Sequence, residues 1–396
     1  MTREPGAFRR GRLLRAWREG RAGLLGLALA PAAWAYRGGL AVRDAAYGRG
    51  WLARGRLSCP VVSIGNLTIG GTGKTPAVEM VARWLTDDGR RVAIVSRGYG
   101  RRPGAPVELV SDGGAPRLPA DQAGDEPLLL ARRLPGVGVV VGADRLAAGR
   151  WAVTHLRPDV VLLDDGFQQR RLMKDVEIVC VDARVPWGPG GLFPRGTLRE
   201  PPAALARAHL LIATRAAGRN LAGLVEEIRQ YAGPAPCIAA DYAVEGLEDL
   251  ESGALHPASA LHGRGVLAFA GIAAPERLAE TLTAHGAIVR DVVAFPDHHS
   301  YAPQDLAAVA HRARAMGAGI LVTTEKDAVR LGRPLVPAAA GRLVASPEGA
   351  QAPLPTWALR VRLEPVDEVR LIDAWRAELR ARVDAVAREA RAETSP

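Results

Sequence analysis

One stretch restricts the fold more than any other: Gly65-Asn66-Leu67-Thr68-Ile69-Gly70-Gly71-Thr72-Gly73-Lys74-Thr75-Pro76, with the apolar run Pro60-Val61-Val62-Ser63-Ile64 before it and a helical Ala/Val/Met/Trp pattern after it. A strand that enters a glycine loop and leaves it as a helix aims backbone N–H groups and the positive end of the helix dipole at one point, which suits phosphate. Gly70, Gly71, Thr72 and Gly73 would wrap the phosphates, Lys74 would reach the outer ones, and the Thr75 hydroxyl would hold Mg²⁺. The usual pattern asks for glycine six positions ahead of the lysine; Thr68 stands there, and the glycines have moved inward. A Gly-rich turn that binds nothing is the plainer alternative, and the Lys74-Thr75 pair at a helix start argues against it.

The net charge of +10 is concentrated at one end. Residues 1–58 carry twelve arginines against Glu4, Glu19 and Asp44, so the rest of the chain is close to neutral. That disfavours a nucleic-acid surface, and no nucleic-acid partner is expected. Cys59, Cys180 and Cys237 are sparse, odd in number and without metal-ligand spacing, which fits a reducing compartment, the cytoplasm. Within the basic arm, Ala22–Tyr36 runs uncharged but is interrupted by Pro31, and it is shorter than the roughly 20 residues needed to span a bilayer. It reads as an interfacial helix with Trp34 and Tyr36 at headgroup depth and arginines toward anionic lipid. The competing reading is a helix packed on the protein's own body. A secretory signal fits poorly ahead of a loop that needs cytosolic nucleotide.

At 396 residues, 48% apolar and 24% charged, the chain has room for two globular domains. The expected fold is α/β: a P-loop NTPase-like parallel sheet domain with a second, smaller α/β domain joined by a two-stranded hinge. Residues 1–58 form the basic amphipathic arm, 59–234 the P-loop domain, 235–365 the second lobe with its hinge strands, and 366–396 a C-terminal surface helix. Near-continuous runs such as Arg91–Ser96, Val137–Val141, Val160–Leu163, Val176–Val181 and Leu210–Ala213 indicate a parallel sheet covered on both faces. In the second lobe, Gly265–Ala270, Ala287–Phe295 and Gly319–Thr323 read as strands, with helices at Pro275–Ala284 and Pro303–Met316. Cys237–Val244 and Trp357–Leu363 alternate like an antiparallel edge pair and are the expected hinge.

Ligands of such sheets bind beyond the carboxyl ends of the strands, so motifs just after strands carry the chemistry. Asp164-Asp165-Gly166-Phe167 ends an apolar run and is Walker-B-like, offering hard oxygens to Mg²⁺. Gly124-Asp125-Glu126-Pro127 opens a helix; local capping explains it, and so does the carboxylate base a kinase requires. Ser96-Arg97-Gly98-Tyr99-Gly100-Arg101-Arg102, Gly142-Ala143-Asp144-Arg145 and the Gly190–Pro201 loop place guanidinium forks where an anion would sit, or are solvated basic loops. Phe295-Pro296-Asp297-His298-His299 and Thr323-Thr324-Glu325-Lys326-Asp327 are each a polar turn or a set of ligand contacts.

Together, in this order along residues 60 to 330, these motifs resemble the tetraacyldisaccharide 4'-kinases, the lipid A 4'-kinases of Gram-negative bacteria; Leu198-Arg199-Glu200 belongs to the same set, and the displaced glycines with Thr68 are that family's version of the loop. The resemblance implies an enzyme on the cytoplasmic face of the bacterial inner membrane, peripheral or monotopic. It would move the γ-phosphoryl group of ATP, with Mg²⁺, to the 4'-hydroxyl of a tetraacyldisaccharide 1-phosphate. It also implies Asp125 as base with His298 as its partner, Thr75, Glu126, Asp164 and Asp165 around the metal, and Arg97, Arg145, Arg199 and Glu200 on substrate or transition state. Partners would be the lipid-like disaccharide and anionic membrane lipid, with no oligomer expected. The family usually has Gln-His after Asp-Asp-Gly-Phe; this chain has Gln168-Gln169, which can replace hydrogen bonds but not titration. The rivals are a membrane-associated P-loop NTPase coupling hydrolysis to a partner or transport, and a binding protein docking through its basic arm, the latter opposed by the acids Asp125, Asp164 and Asp165.

Overall fold

The computed structural model describes residues 28–272, 274–331 and 353–394. The arginine-rich part of the arm before residue 28 lies outside them. In chain order the elements are α1 (Ala30–Gly48), β1 (Val61–Asn66), α2 (Lys74–Asp87), β2 (Val92–Ser96), β3 (Val107–Asp112), α3 (Ala120–Ala123), α4 (Asp125–Arg133), β4 (Gly138–Gly142), α5 (Arg145–Leu156), β5 (Val160–Asp164), β6 (Val176–Asp182) and β7 (Leu210–Thr214). They continue with α6 (Ala222–Ala232), β8 (Cys237–Asp249), β9 (Leu255–His256), β10 (Gly265–Ala270), α7 (Glu276–Ala284), β11 (Ile288–Ala294), α8 (Pro303–Ala315), β12 (Ile320–Thr324), α9 (Glu325–Arg330), β13 (Thr356–Pro365) and α10 (Val369–Thr394).

The chain divides into two units. The first takes the residues up to Arg97, Gly136–Asp241 and those from Leu363 onward; the second takes Gly98–Pro135 and Tyr242–Arg362. The segment Gly98–Pro135 lies within the stretch expected to be P-loop domain, yet it clusters with the second unit. Its helix α4 packs on α9, an association between chemically ordinary helices that no local pattern announces.

In the first unit the strands run in the order β8-β7-β6-β1-β5-β2-β4, every pair parallel. All residues of β1, β2, β4, β5, β6 and β7 are buried, as a sheet covered on both faces requires. Parallel pairing puts the carboxyl ends of β1, β2, β4 and β5 on one edge, which is what brings Asn66, Ser96, Gly142 and Asp164 into one neighbourhood. Gly65 is needed for the close approach there: a Cβ on it would lie 2.5 Å from Phe167 Cβ and 2.7 Å from the Phe167 backbone nitrogen. The C-terminal helix α10 lies on the surface and packs one face on the first unit. Trp375 is 1% exposed, donates from Nε1 to Leu211 O at 3.1 Å and meets Trp84 edge to face at 5.7 Å, while Leu379 and Val383 are buried beside it.

In the second unit β11-β10-β12-β13 form a parallel sheet whose alternate residues serve two cores. Val266, Ala268, Ala270, Ile320 and Val322 pack with Leu278 and Leu282 of α7, whereas Leu267, Phe269 and Leu321 pack with Val309 and Ala313 of α8. This is the period of two of a strand between helical layers. β8 and β13 are neighbours, as expected, but neither is an edge: β8 pairs in parallel with β7, and β13 with β12. The chain passes from one unit to the other inside both strands. Strand β3, half-buried, was not legible in the sequence.

Helix α1 begins with Pro31 in its first turn, a position that tolerates proline because its missing N–H has no partner there. Trp34 is 73% exposed, whereas Tyr36, expected at headgroup depth, docks on the first unit: its hydroxyl donates to Arg199 O at 2.9 Å and its ring meets Phe193 edge to face. Among the described residues no helix is long and apolar enough to cross a membrane.

Candidate active site

Two clusters of functional side chains are present, one in each unit. In the first unit, β1 ends at Asn66, a wholly buried amide whose Nδ2 donates to Thr68 O and to Thr72 Oγ1, both at 2.7 Å. Its Oδ1 accepts from Lys74 Nζ at 3.1 Å, so one strand-end amide shapes the loop and aims its lysine. Thr68 is no flaw in the loop. It forms an antiparallel bridge with Leu198, flanked by Ile69 N to Thr197 O and Arg199 N to Leu67 O, both 2.7 Å. A residue held as a strand rung gains nothing from being glycine. Gly73, which caps α2, has φ of 85°, and there glycine is required. Thr214 Oγ1 donates to Thr72 O at 2.9 Å and Arg215 to Gly71 O at 2.6 Å, bracing the turn from behind.

Beside the loop, Asp165 sits at φ 52° and accepts from Arg199 at 2.7 and 2.9 Å, with Lys74 Nζ 3.6 Å from its Oδ1. Burial pushes its carboxyl up, but Lys74 and Arg199, then Arg145, outweigh that and hold it below the usual carboxylate range. Asp164 is 2% exposed and takes Ser96 Oγ at 2.9 Å. Arg145, 7% exposed, donates to Ala143 O; burial and the Arg97 charge pull its guanidinium down against Asp165, Asp164 and Asp144. Gln168 donates to Asn66 O at 3.0 Å, whereas Gln169 accepts a local bond from Arg171 N at 2.9 Å. Glu200, expected to meet substrate, is 2% exposed with one oxygen on Arg43 at 2.6 Å and the other on Arg207.

A nucleoside triphosphate with Mg²⁺ fits this donor set. A Cβ built on Gly70 or Gly71 meets nothing within 4 Å, so the space beside the loop is open, and Lys74, Arg145 and Arg199 bring cations near it. Thr75 and Asp164 are the oxygen donors that would hold the metal with the phosphates. Among the described residues no group of three or more His, Cys, Asp or Glu could hold a metal by itself. Of the acids expected around it, Asp165 is turned to Arg199 and Lys74, and Glu126, in the second unit, is paired with Lys326 at 3.0 Å.

The second unit brings Asp125 and His298 together. Asp125 is the first residue of α4, and its Oδ2 lies 2.9 Å from His298 Nδ1. Sequence reasoning missed the third member, Arg330, whose Nε donates to the same Oδ2 at 2.7 Å. Arg330 is itself fixed, donating to Gly271 O at 2.9 Å and Asp327 Oδ1 at 3.0 Å; Tyr301 and Thr324 also donate to Asp327, at 2.9 and 2.6 Å. Thus the Thr-Thr-Glu-Lys-Asp motif supplies the seat for an arginine three residues further on. His298, at φ 60°, is held with its backbone N–H on Gly271 O. Burial raises the Asp125 carboxyl, but the His298 hydrogen bond and the Arg330 charge prevail and leave it below the ordinary carboxylate range.

A family model described as tetraacyldisaccharide-1-P 4'-kinase matches residues 25–380. A tetraacyldisaccharide 4'-kinase of Anaeromyxobacter dehalogenans is 49% identical over 337 residues, 83% of this chain and 88% of that one. One of Geobacter metallireducens is 45% identical over 291 residues, 74% and 84% of the two chains. The crystal structure of the apo form of LpxK from Aquifex aeolicus in complex with ATP superposes with a TM-score of 0.70 at 28% identity, covering 91% of this chain and 99% of that one. The Lys74 loop and the Asp125–His298 pair both fall inside the span that the family model matches, and the chain belongs to the tetraacyldisaccharide-1-phosphate 4'-kinase family.

Proposed function

We propose that the chain transfers the γ-phosphoryl group of ATP to the 4'-hydroxyl of a tetraacyldisaccharide 1-phosphate, in lipid A biosynthesis, at the cytoplasmic face of the inner membrane. The observation that carries this reading is an oriented carboxylate, Asp125, in a chain of this family that also has a phosphate loop.

Lys74 and the backbone N–H groups of Gly70–Gly73 bind the phosphates, and Arg145 and Arg199 offset charge that builds up during transfer. Mg²⁺, held through Thr75 and Asp164, would neutralise the phosphate oxygens. Asp125 takes the proton of the attacking hydroxyl while the new oxygen–phosphorus bond forms and the bond from the γ-phosphorus to the bridging oxygen breaks, leaving ADP. His298 and Arg330 both occupy Oδ2, so Oδ1 is the oxygen that receives the proton. Strands β8 and β13 are the proposed hinge. The exposed side chains of α1 and the tryptophan after it, Trp34, Val42 and Trp51, rest against lipid, as an amphiphilic acceptor that stays in the bilayer requires.

The test is ADP release by the purified protein with and without acceptor in detergent micelles. Release that depends on acceptor supports the kinase. Equal release without acceptor supports a membrane-associated NTPase.

A further inference from the structure

Helix α1 makes contacts that an anchor does not need. Tyr36 and Arg43 are seven residues apart, two turns on one helical face. Both reach the same dipeptide: Tyr36 donates to Arg199 O at 2.9 Å, and Arg43 donates to Glu200 Oε1 at 2.6 Å. Arg199 is thereby held on three sides. Its N–H bonds to Leu67 O at the root of the phosphate loop, its carbonyl takes Tyr36, and its guanidinium holds Asp165, which lies 3.6 Å from Lys74. Glu200 has one oxygen on Arg43 and the other on Arg207, and is 2% exposed. Trp34 and Val42, 73% and 69% exposed, lie outside this docked face. The helix thus has one side committed to the phosphate site and another left open.

We propose that α1 is a strut of the phosphate site, and that Tyr36 and Arg43 are positioning residues that hold Arg199, and through it Asp165 and Lys74, in place for transfer. The proposal rests on the kinase reading above. If the helix were only an anchor, removing these two contacts would weaken membrane association or acceptor capture and leave the turnover of bound substrates alone. A strut predicts the reverse division.

The experiment uses full-length protein in detergent micelles, γ-labelled ATP and a tetraacyldisaccharide 1-phosphate acceptor, with kcat and both KM values measured. Tyr36→Phe keeps the ring against Phe193 and loses only the hydrogen bond; kcat is expected to fall about threefold to tenfold with acceptor KM within about twofold. Arg43→Met, which strands a buried Glu200 oxygen, is expected to lower kcat about a hundredfold, and Arg43→Lys to recover part of it. Unchanged kcat in Tyr36→Phe and Arg43→Met, with acceptor KM or micelle partition alone altered, overturns the strut. Should Arg43→Met melt well below the wild type, Tyr36→Phe decides the matter by itself. Wild-type protein that transfers no label overturns the kinase reading, and the strut falls with it.

Discussion

Replacing Asp125 by asparagine separates what the carboxylate does from what it holds. Asp125 Oδ2 accepts from His298 at 2.9 Å and from Arg330 at 2.7 Å. The asparagine carbonyl can accept both bonds with its amide at the Oδ1 position, so the local geometry survives while the proton acceptor is lost. A general base contributes roughly 10²–10⁴ in rate, about 3–5 kcal/mol of transition-state stabilisation. Asp125→Asn is therefore expected to lower kcat by about two to four orders of magnitude with the KM for ATP little changed. Asp125→Ala adds a second effect, since it removes one of the two carboxylates that hold Arg330, whose side chain is 5% exposed, and leaves Asp327 as the other; an unmet donor on a buried charged group costs about 1–3 kcal/mol, and the variant should melt measurably lower than Asp125→Asn. Steady-state transfer kinetics and thermal melts of the two variants make the comparison. Asp125→Asn retaining kcat within about tenfold of wild type would refute the base assignment.

Other expectations concern binding, pH and membranes. Lys74→Ala should weaken ATP binding and transfer together, because it removes the loop's cation along with its contacts to Asn66 and Asp165; equilibrium nucleotide binding unchanged from wild type would contradict the phosphate loop. His209 Nδ1 accepts from Glu177 N at 2.9 Å and must be neutral to do so, and burial, then Arg382, lowers it from its ordinary 6.5. A basic group depressed in the folded state contributes stability that is present above 6.5 and lost as pH falls through its folded value; denaturant melts from pH 7.5 to 5 should show this loss, and His209→Gln should flatten it. Deleting residues 2–27, rather than the whole of the basic arm, should weaken membrane association while sparing the Tyr36 and Arg43 contacts, as fractionation and a transfer assay in detergent would check.

The parallel sheet was readable because its strands are uninterrupted Val/Ile/Leu runs, a pattern that only double coverage explains. The phosphate loop was readable for a similar reason, since its glycines, lysine and threonine are local in sequence. What stayed hidden depended on partners far along the chain. Thr68 departs from the usual loop pattern, and its reason is an antiparallel bridge to Leu198. Arg330 carries no motif of its own and is identified only by the carboxylates it reaches, Asp125 and Asp327. Trp375 marks the buried face of α10, a large aromatic residue in a stretch dominated by Ala, Arg and Glu. The resemblance implies a substrate role for Glu200 beside Arg199, and the partners that sequence could not show are distinct, Asp165 for Arg199 and Arg43 for Glu200.

Where the phosphate goes distinguishes a 4'-kinase from a hydrolase. Phosphorus NMR of the product formed from ATP and a tetraacyldisaccharide 1-phosphate in detergent reads this directly. A new phosphomonoester at the 4' position of the distal sugar, absent with Asp125→Asn, is the predicted result. Label recovered only as inorganic phosphate, with the acceptor unchanged, would contradict it.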